Sequence, residues 1–381
     1  MEIMKTPEFW SLLRLSDISN MKSGMTITSR DISESGIYPC YGGNGLRGYT
    51  SVYTHEGDYA LVGRQGALCG NVQYVSGRFF ASEHAVVVTP QKSTDINWLY
   101  HVLKSMNLNQ YSESSAQPGL SVLKLLNLTV IVPKKSEQTA IASVLSDTDA
   151  LIENLEKLIA KKRNIKQGVM QELLTGRKRL EGFNGEWDKI KIGEVADIHK
   201  GNGLSKTKLK SEGKYGCILY GELFTTYKRI IKNAISRTDY EEGVYSRAGD
   251  ILMPGSTTTT GIDLAIASAV LKDNILLGGD INVIRPKTAS INSIFLTYYI
   301  TEILKHKILE LTQGITIIHL YGKDLKTLEI AIPEISEQNE IAKFLVDIDE
   351  ELSGLENQMN KYQLIKQGMM QTLLTGKIRL V

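Results

Sequence analysis

The chain has 381 residues, 42% of them apolar and 23% charged, with 44 Lys and Arg against 42 Asp and Glu for a net charge of +2. That mixture suits two domains with cores of their own and excludes a disordered chain. No apolar run reaches membrane-spanning length, no secretory signal opens the chain, and Cys40, Cys69 and Cys217 lack metal-ligand spacing, so the expectation is a cytoplasmic protein with reduced, partly buried thiols and no membrane partner.

The chain opens with EFWSLLRLSDI from Glu8, then a glycine-rich turn, YGGNG from Tyr41. Two apolar strands around a polar loop come next, YALVGRQGALCGNVQYV from Tyr59 to Val75, and then the strand HAVVVTP. Short strands with such punctuation predict a mixed α/β domain with an irregular sheet over residues 1–135. The apolar run LTVIV ends at Pro133, after which Ser136 is expected as a helix N-cap with Glu137 in the first turn, where the helix dipole favours an acid.

Ile141, Leu145, Ile152 and Leu155 then recur at heptad spacing, and Gly176 after LLT suits the left-handed position that stops a helix. This predicts a helix of about 40 residues, roughly 60 Å long, within the segment 136–180.

After this helix the pattern restarts. GEWDKIKIGEV from Gly185 resembles the opening stretch with Trp187 against Trp10, and Gly201 in KGNG falls against Gly24. AGDILMPGSTT from Ala248 resembles EGDYALVGRQG from Glu56 at a drifted offset, so residues 181–335 predict a second, diverged mixed domain. The tail diverges far less. Pro133 to Leu180 matches Pro333 to Leu380 without a gap, and KQGVMQELLTG at 166–176 returns as KQGMMQTLLTG at 366–376. The seam returns as Ile341, Leu345, Ile348, Leu352 and Leu355 in a segment 336–381.

Helices this long outgrow a domain of about 150 residues. The expected fold is therefore α+β, with two mixed α/β domains separated by two long helices that pair as an antiparallel coiled coil about a pseudo-two-fold axis. Such a bar would send the globular parts to opposite ends.

No phosphate-binding loop, amino-methyltransferase motif, nuclease motif or metal-binding HExxH helix is present, and the histidines are scattered, so the sequence predicts no active site and no metal. Polar loops on rigid strands are instead suited to reading DNA. Arg64 and Gln65, with Ser256, Thr257, Thr258 and Thr259 in the aligned loop, are candidates to contact base edges or phosphates. Asn44 and Arg47 beside the first glycine-rich turn, and Lys200 and Asn202 at the second, join them.

The order of diverged domain, P..SEQ..IA..L...D, long helix and KQG.MQ.LLTG, written twice, resembles the specificity subunit of type I restriction-modification systems. The resemblance implies a non-catalytic DNA-reading protein with two target recognition domains, each reading half of an asymmetric bipartite site in double-stranded DNA. It implies partners as well: two modification subunits that methylate adenine, and restriction-translocase subunits that join through them. S-adenosylmethionine, ATP and Mg would belong to those partners, with no cofactor in this chain.

Two copies of one partner would need two like docking surfaces, for which Gln167, Met170, Leu173, Gln367, Met370 and Leu373 of the repeated phrase are candidates together with the seam. The alternatives are a coiled-coil scaffold binding only proteins and a stand-alone modifying enzyme.

Overall fold

Pro133 and Pro333 each mark the change from an edge strand to a long helix in the computed structural model, which describes residues 7–66, 68–112 and 119–380. Of the expected domain spans, residues 1–6, 67, 113–118 and 381 lie outside the described residues. The helices run from Lys135 to Leu173 and from Ile335 to Leu373. Both begin before the expected serine cap, so Ser136 and Ser336 sit inside the first turn. The turn that follows each ends at the expected glycine, three residues past the last helical residue, with φ of 70° at Gly176 and 68° at Gly376. A Cβ on Gly376 would stand 2.5 Å from Pro7, so sterics as well as backbone conformation require glycine there.

Contacts divide the chain into two compact units, Met1–Leu158 with Glu356–Val381, and Ile159–Leu355. Each long helix begins in one unit and continues into the other. In the first unit Ser11–Arg14 pairs antiparallel with Thr129–Val132. An antiparallel sheet runs in the order Ser19–Ser23, Ala85–Pro90, Tyr59–Gly63, Val72–Val75. A mixed sheet runs Gly45–Thr50, Tyr38–Gly42, Arg78–Ala81, His55–Glu56. Helix Ile96–Ser105, whose N-cap Asp95 accepts from the backbone of Asn97 and Trp98, supplies Trp98, Leu99 and Leu103 to the core.

The second unit repeats this frame with five strands in each sheet. Asp188–Lys191 pairs with Glu329–Ile332. One sheet runs Ala196–Lys200, Ile281–Pro286, Ile251–Pro254, Ser268–Val270, Ile230–Ile231. The other runs Leu209–Lys210, Ser236–Thr238, Tyr215–Ile218, Leu276–Leu277, Val244–Tyr245. Helix Ser293–Glu302, capped by Asn292, takes the place of Ile96–Ser105. Cys40, Cys69 and Cys217 are free and buried.

The heptad register has a different partner from the expected one over part of its length. Ile141 and Leu145 lie in the first unit's core beside Leu373 of the second long helix, with Met370 packed against them. Ile341 and Leu345 lie in the second unit's core beside Met170 and Leu173 of the first long helix. The helix ends are therefore core elements of the globular parts, because burying a helix end against a sheet uses the same face that a coiled coil would. Along the middle Leu155 and Leu352 are buried, and Ile152, Ile348 and Leu355 half-buried.

Polar contacts show the direction of pairing within each unit. Glu137 meets Arg379 and Asp149 meets Lys366 in the first unit, while Glu337 meets Arg179 and Asp349 meets Lys166 in the second, so in each the two helical segments run antiparallel.

These contacts give the repeated residues internal roles. The Glu137 carboxylate is buried and accepts from Trp10 Nε1 at 3.1 Å and from Arg379 Nη2 at 2.7 Å, and Arg379 also donates to the Glu8 carbonyl at 2.9 Å. The Arg379 guanidinium stands 5.6 Å from the centre of the Trp10 ring, and that of Arg179 stands 5.8 Å from the Trp187 ring. Gln138 accepts from the backbone of Asp95 and donates to Pro133, as Gln338 accepts from Asn292 and donates to Pro333, so each glutamine ties a long helix to the start of its neighbouring short helix.

His101 is a core residue; burial, helped by the Lys366 charge, pushes its pKa down to about 4, so it is neutral.

Replacing Arg379 with Met leaves the buried Glu137 carboxylate without its cation and should lower the midpoint of chemical denaturation, whereas adding Glu137→Gln should recover part of the loss. Burial raises the Glu137 pKa, but the Arg379 and Trp10 hydrogen bonds outweigh it and hold the carboxyl below its ordinary value. The lock's contribution is therefore full at neutral pH, is lost as pH falls through the depressed pKa, and should not change measurably above the ordinary value of 4.5.

Candidate nucleic-acid interface

The polar candidates converge at one end of the central strands in each unit. In the first unit the backbones of three turns pack together: a Cβ on Gly43 would lie 2.9 Å from the Gln65 carbonyl and 3.2 Å from that of His84. Glycine therefore lets the YGGNG turn touch the loop after Tyr59–Gly63. Arg64 is half-buried; its backbone N–H donates to His84 at 2.8 Å and its Nη1 to Ser23 Oγ at 3.2 Å. Asn44, Arg47 and Gln65 are exposed around it.

The second unit builds the same strand end with the charge moved. Lys200 stands where Ser23 stands, on the strand before the aligned glycine, and Ser256 stands where Arg64 stands. Lys200 Nζ lies 2.8 Å from Asp280 Oδ1, and Ser256 Oγ donates to Asp280 Oδ2 at 3.1 Å. The Lys200 hydrogen bond holds the Asp280 carboxyl below its ordinary range against the opposing effect of burial. Asn202 is exposed two residues beyond Lys200, its N–H bonded to the Leu277 carbonyl.

The expected threonine loop begins as a strand. Ser256–Thr257 pairs with Ile318–His319, and both Ser256 and Thr257 are buried, because a partner strand some 60 residues further along covers them. Thr259 is exposed, but its hydroxyl donates to Asp263, leaving Thr258 as the loop's most outward candidate. Sequence reasoning missed Asp280, which opens the DINVIRP strand, and the groove beside it walled by His199, His319, Tyr321, Lys323 and Lys326. The signal was the pair of lysines in YGKDLK near the end of the domain, Lys323 and Lys326, too common a pattern to single out.

Among the described residues no group of three or more His, Cys, Asp or Glu side chains is placed to hold a metal ion, and no helix is long and apolar enough to cross a membrane. The model of the type I restriction modification DNA specificity domain matches residues 7–162 and again residues 184–366.

The chain belongs to this family.

The chain is 47% identical over 148 residues to the type I restriction enzyme EcoprrI specificity subunit of Escherichia coli, a match covering 38% of this chain and 37% of that one. It is 27% identical over 322 residues to a putative type I restriction enzyme specificity subunit of Haemophilus influenzae, covering 82% and 80%. The fold is also that of the S subunit of a type I restriction-modification system from M. genitalium, with a TM-score of 0.68 at 18% identity over 98% of this chain and 97% of that one. As a type I specificity subunit the protein confers DNA sequence specificity and is not itself catalytic; the catalytic activities reside in partner subunits.

Arg64→Ala should weaken binding to the cognate site by about 1–3 kcal/mol if the guanidinium makes a bidentate guanine contact, measured by competition between cognate and random duplexes. Equal weakening on both duplexes would reduce Arg64 to a phosphate contact, and no weakening would remove it from the interface.

Proposed function

We propose that each unit reads one half of an asymmetric, bipartite site in double-stranded DNA and thereby directs adenine methylation and restriction by partner subunits. The observation that carries this reading is the strand-end locus, built twice on one frame but from different residues: Arg64 with Ser23 in one unit, Lys200 with Ser256 and Asp280 in the other. A shared frame with divergent contacts suits two unlike half-sites. In functional terms the recognition domains are 1–135 and 181–335, and the helical spacers 136–180 and 336–381.

The partners in this reading are two modification subunits, with restriction-translocase subunits joining through them; S-adenosylmethionine, ATP and Mg are theirs, and the complex works in the cytoplasm. Within the repeated phrase Met170, Leu173, Met370 and Leu373 pack against or within the unit cores, whereas Gln167, Gln171, Gln367 and Gln371 face outward and are the same in both copies. Two copies of one partner would meet the same glutamines twice. A scaffold binding only proteins would leave the divergent strand ends without a role, and the family match does not favour it.

Methylome sequencing of a host with and without this gene should show a methylated motif of two defined halves around an unspecified gap, lost on deletion; a contiguous motif, or no change, would overturn the reading. Replacing Gln167 and Gln171 together with Glu should leave one modification subunit bound per chain in place of two, read as the mass of the assembled complex. Two bound subunits would remove this face from the docking surface.

A further inference from the structure

Asp280 is a carboxylate in cationic surroundings. Lys200 and His319 stand beside it, and the groove they share continues to His199, Lys323 and Lys326. A surface that only gripped phosphates would gain nothing from a negative charge there, since affinity for the DNA backbone rises with the number of phosphates neutralised. A carboxylate is useful where an amino group on a base edge must be accepted.

The geometry prepares it for that task. Asp280 has a left-handed backbone, φ 59°, and its carbonyl accepts from the Gly255 N–H at 2.6 Å, so the residue is anchored between two strands. One carboxylate oxygen takes Lys200 and the other Ser256, which holds the group in place while leaving part of its capacity of about four lone-pair sites unused. Its side chain remains 38% exposed and that of Lys200 60% exposed. The first unit places a carboxylate on the equivalent turn: Glu83, just before the strand Ala85–Pro90, accepts from the Ile27 N–H at 3.3 Å and lies 3.2 Å from His84. Both units thus carry an acid at the strand end, beside a histidine in one and a lysine in the other.

We propose that Asp280 is a specificity-determining residue that accepts a hydrogen bond from an exocyclic base amine, N4 of cytosine or N6 of adenine, in the major groove of the half-site read by the second unit. Lys200, alongside it, donates to the adjacent acceptor of the same base pair: guanine O6 opposite cytosine, or thymine O4 opposite adenine. The inference rests on the reading that the second unit contacts a half-site.

The test uses the full chain assembled with its modification subunits. Competition binding is measured on duplexes in which each position of both half-sites carries each of the four base pairs in turn. At the one position of the second unit's half-site where the Asp280 variants alter the profile, the wild type should prefer one base pair by roughly five- to 150-fold, and that preference names cytosine or adenine. Asp280→Asn should reduce the preference at that position alone, and Asp280→Gly, which accepts the left-handed backbone without strain, should abolish it. Lys200→Met should reduce it at the same position.

Unchanged profiles in both Asp280 variants, or equal weakening on every duplex including random DNA, would overturn the proposal. The other half-site, unaffected in every variant, is the control for folding. A wild-type complex with only one half-site would count against the proposed function and not against this assignment alone.

Discussion

Two buried carboxylates hold the architecture together. Glu137 and Glu337 each sit in the first turn of a long helix, out of contact with solvent, and each is neutralised by an arginine that lies just past the end of the other long helix. An uncompensated carboxylate in such a place is strongly destabilising, so neither unit is complete until a distant part of the chain arrives. In the first unit that part is 242 residues away. The tryptophans under the guanidiniums and the glycines that turn the chain back toward them belong to the same device: a Cβ on Gly176 would come 3.2 Å from Trp187, and one on Gly376 would meet Pro7.

This lock changes the meaning of the repeated phrase. A docking surface for two like partners accounts for the outward glutamines, but Lys166, Lys366 and the buried methionine and leucines are already committed within the chain. Internal closure comes first, and any docking surface uses what remains. The tolerance of the frame shows one turn away. His101 and Tyr298 occupy equivalent positions on the short helices, facing the Lys366–Asp149 and Lys166–Asp349 pairs; His101 is neutral and buried, while the Tyr298 hydroxyl donates to Asp349 at 2.5 Å. The ion pair is kept and its neighbour varies.

What could be read from the sequence was what has a local cause. The duplication, the two helices, the glycines that end them and the strand-rich character of the globular parts stem from repeats, periodicity and turn chemistry within a few residues. The division of each long helix between two cores could not be read this way, because Ile141 and Leu145 show the same heptad spacing whether a sheet or another helix covers them. Glu137 looked like a dipole-favoured acid; its guanidinium partner is visible only in three dimensions. Ser256 and Thr257 looked like loop because their partner strand, Ile318–His319, is only two residues long and lies far along the chain. Asp280 matters through its backbone conformation and its neighbours, neither of which has a sequence signature.

A net charge of +2 then becomes informative for a DNA-reading protein. Affinity built on phosphate contacts is the same for every sequence, so a strongly basic surface raises binding to random DNA along with binding to the target. In the role proposed for Asp280, a carboxylate beside a cation acts in the opposite direction: it costs affinity wherever it meets only the DNA backbone, and returns it where a base amine is in place. What a genome full of competing sites tests is the ratio of specific to non-specific binding. On the proposed reading, an acid set beside Lys200 raises that ratio without requiring tight binding, and dividing the site between two units would let each read a different set of bases.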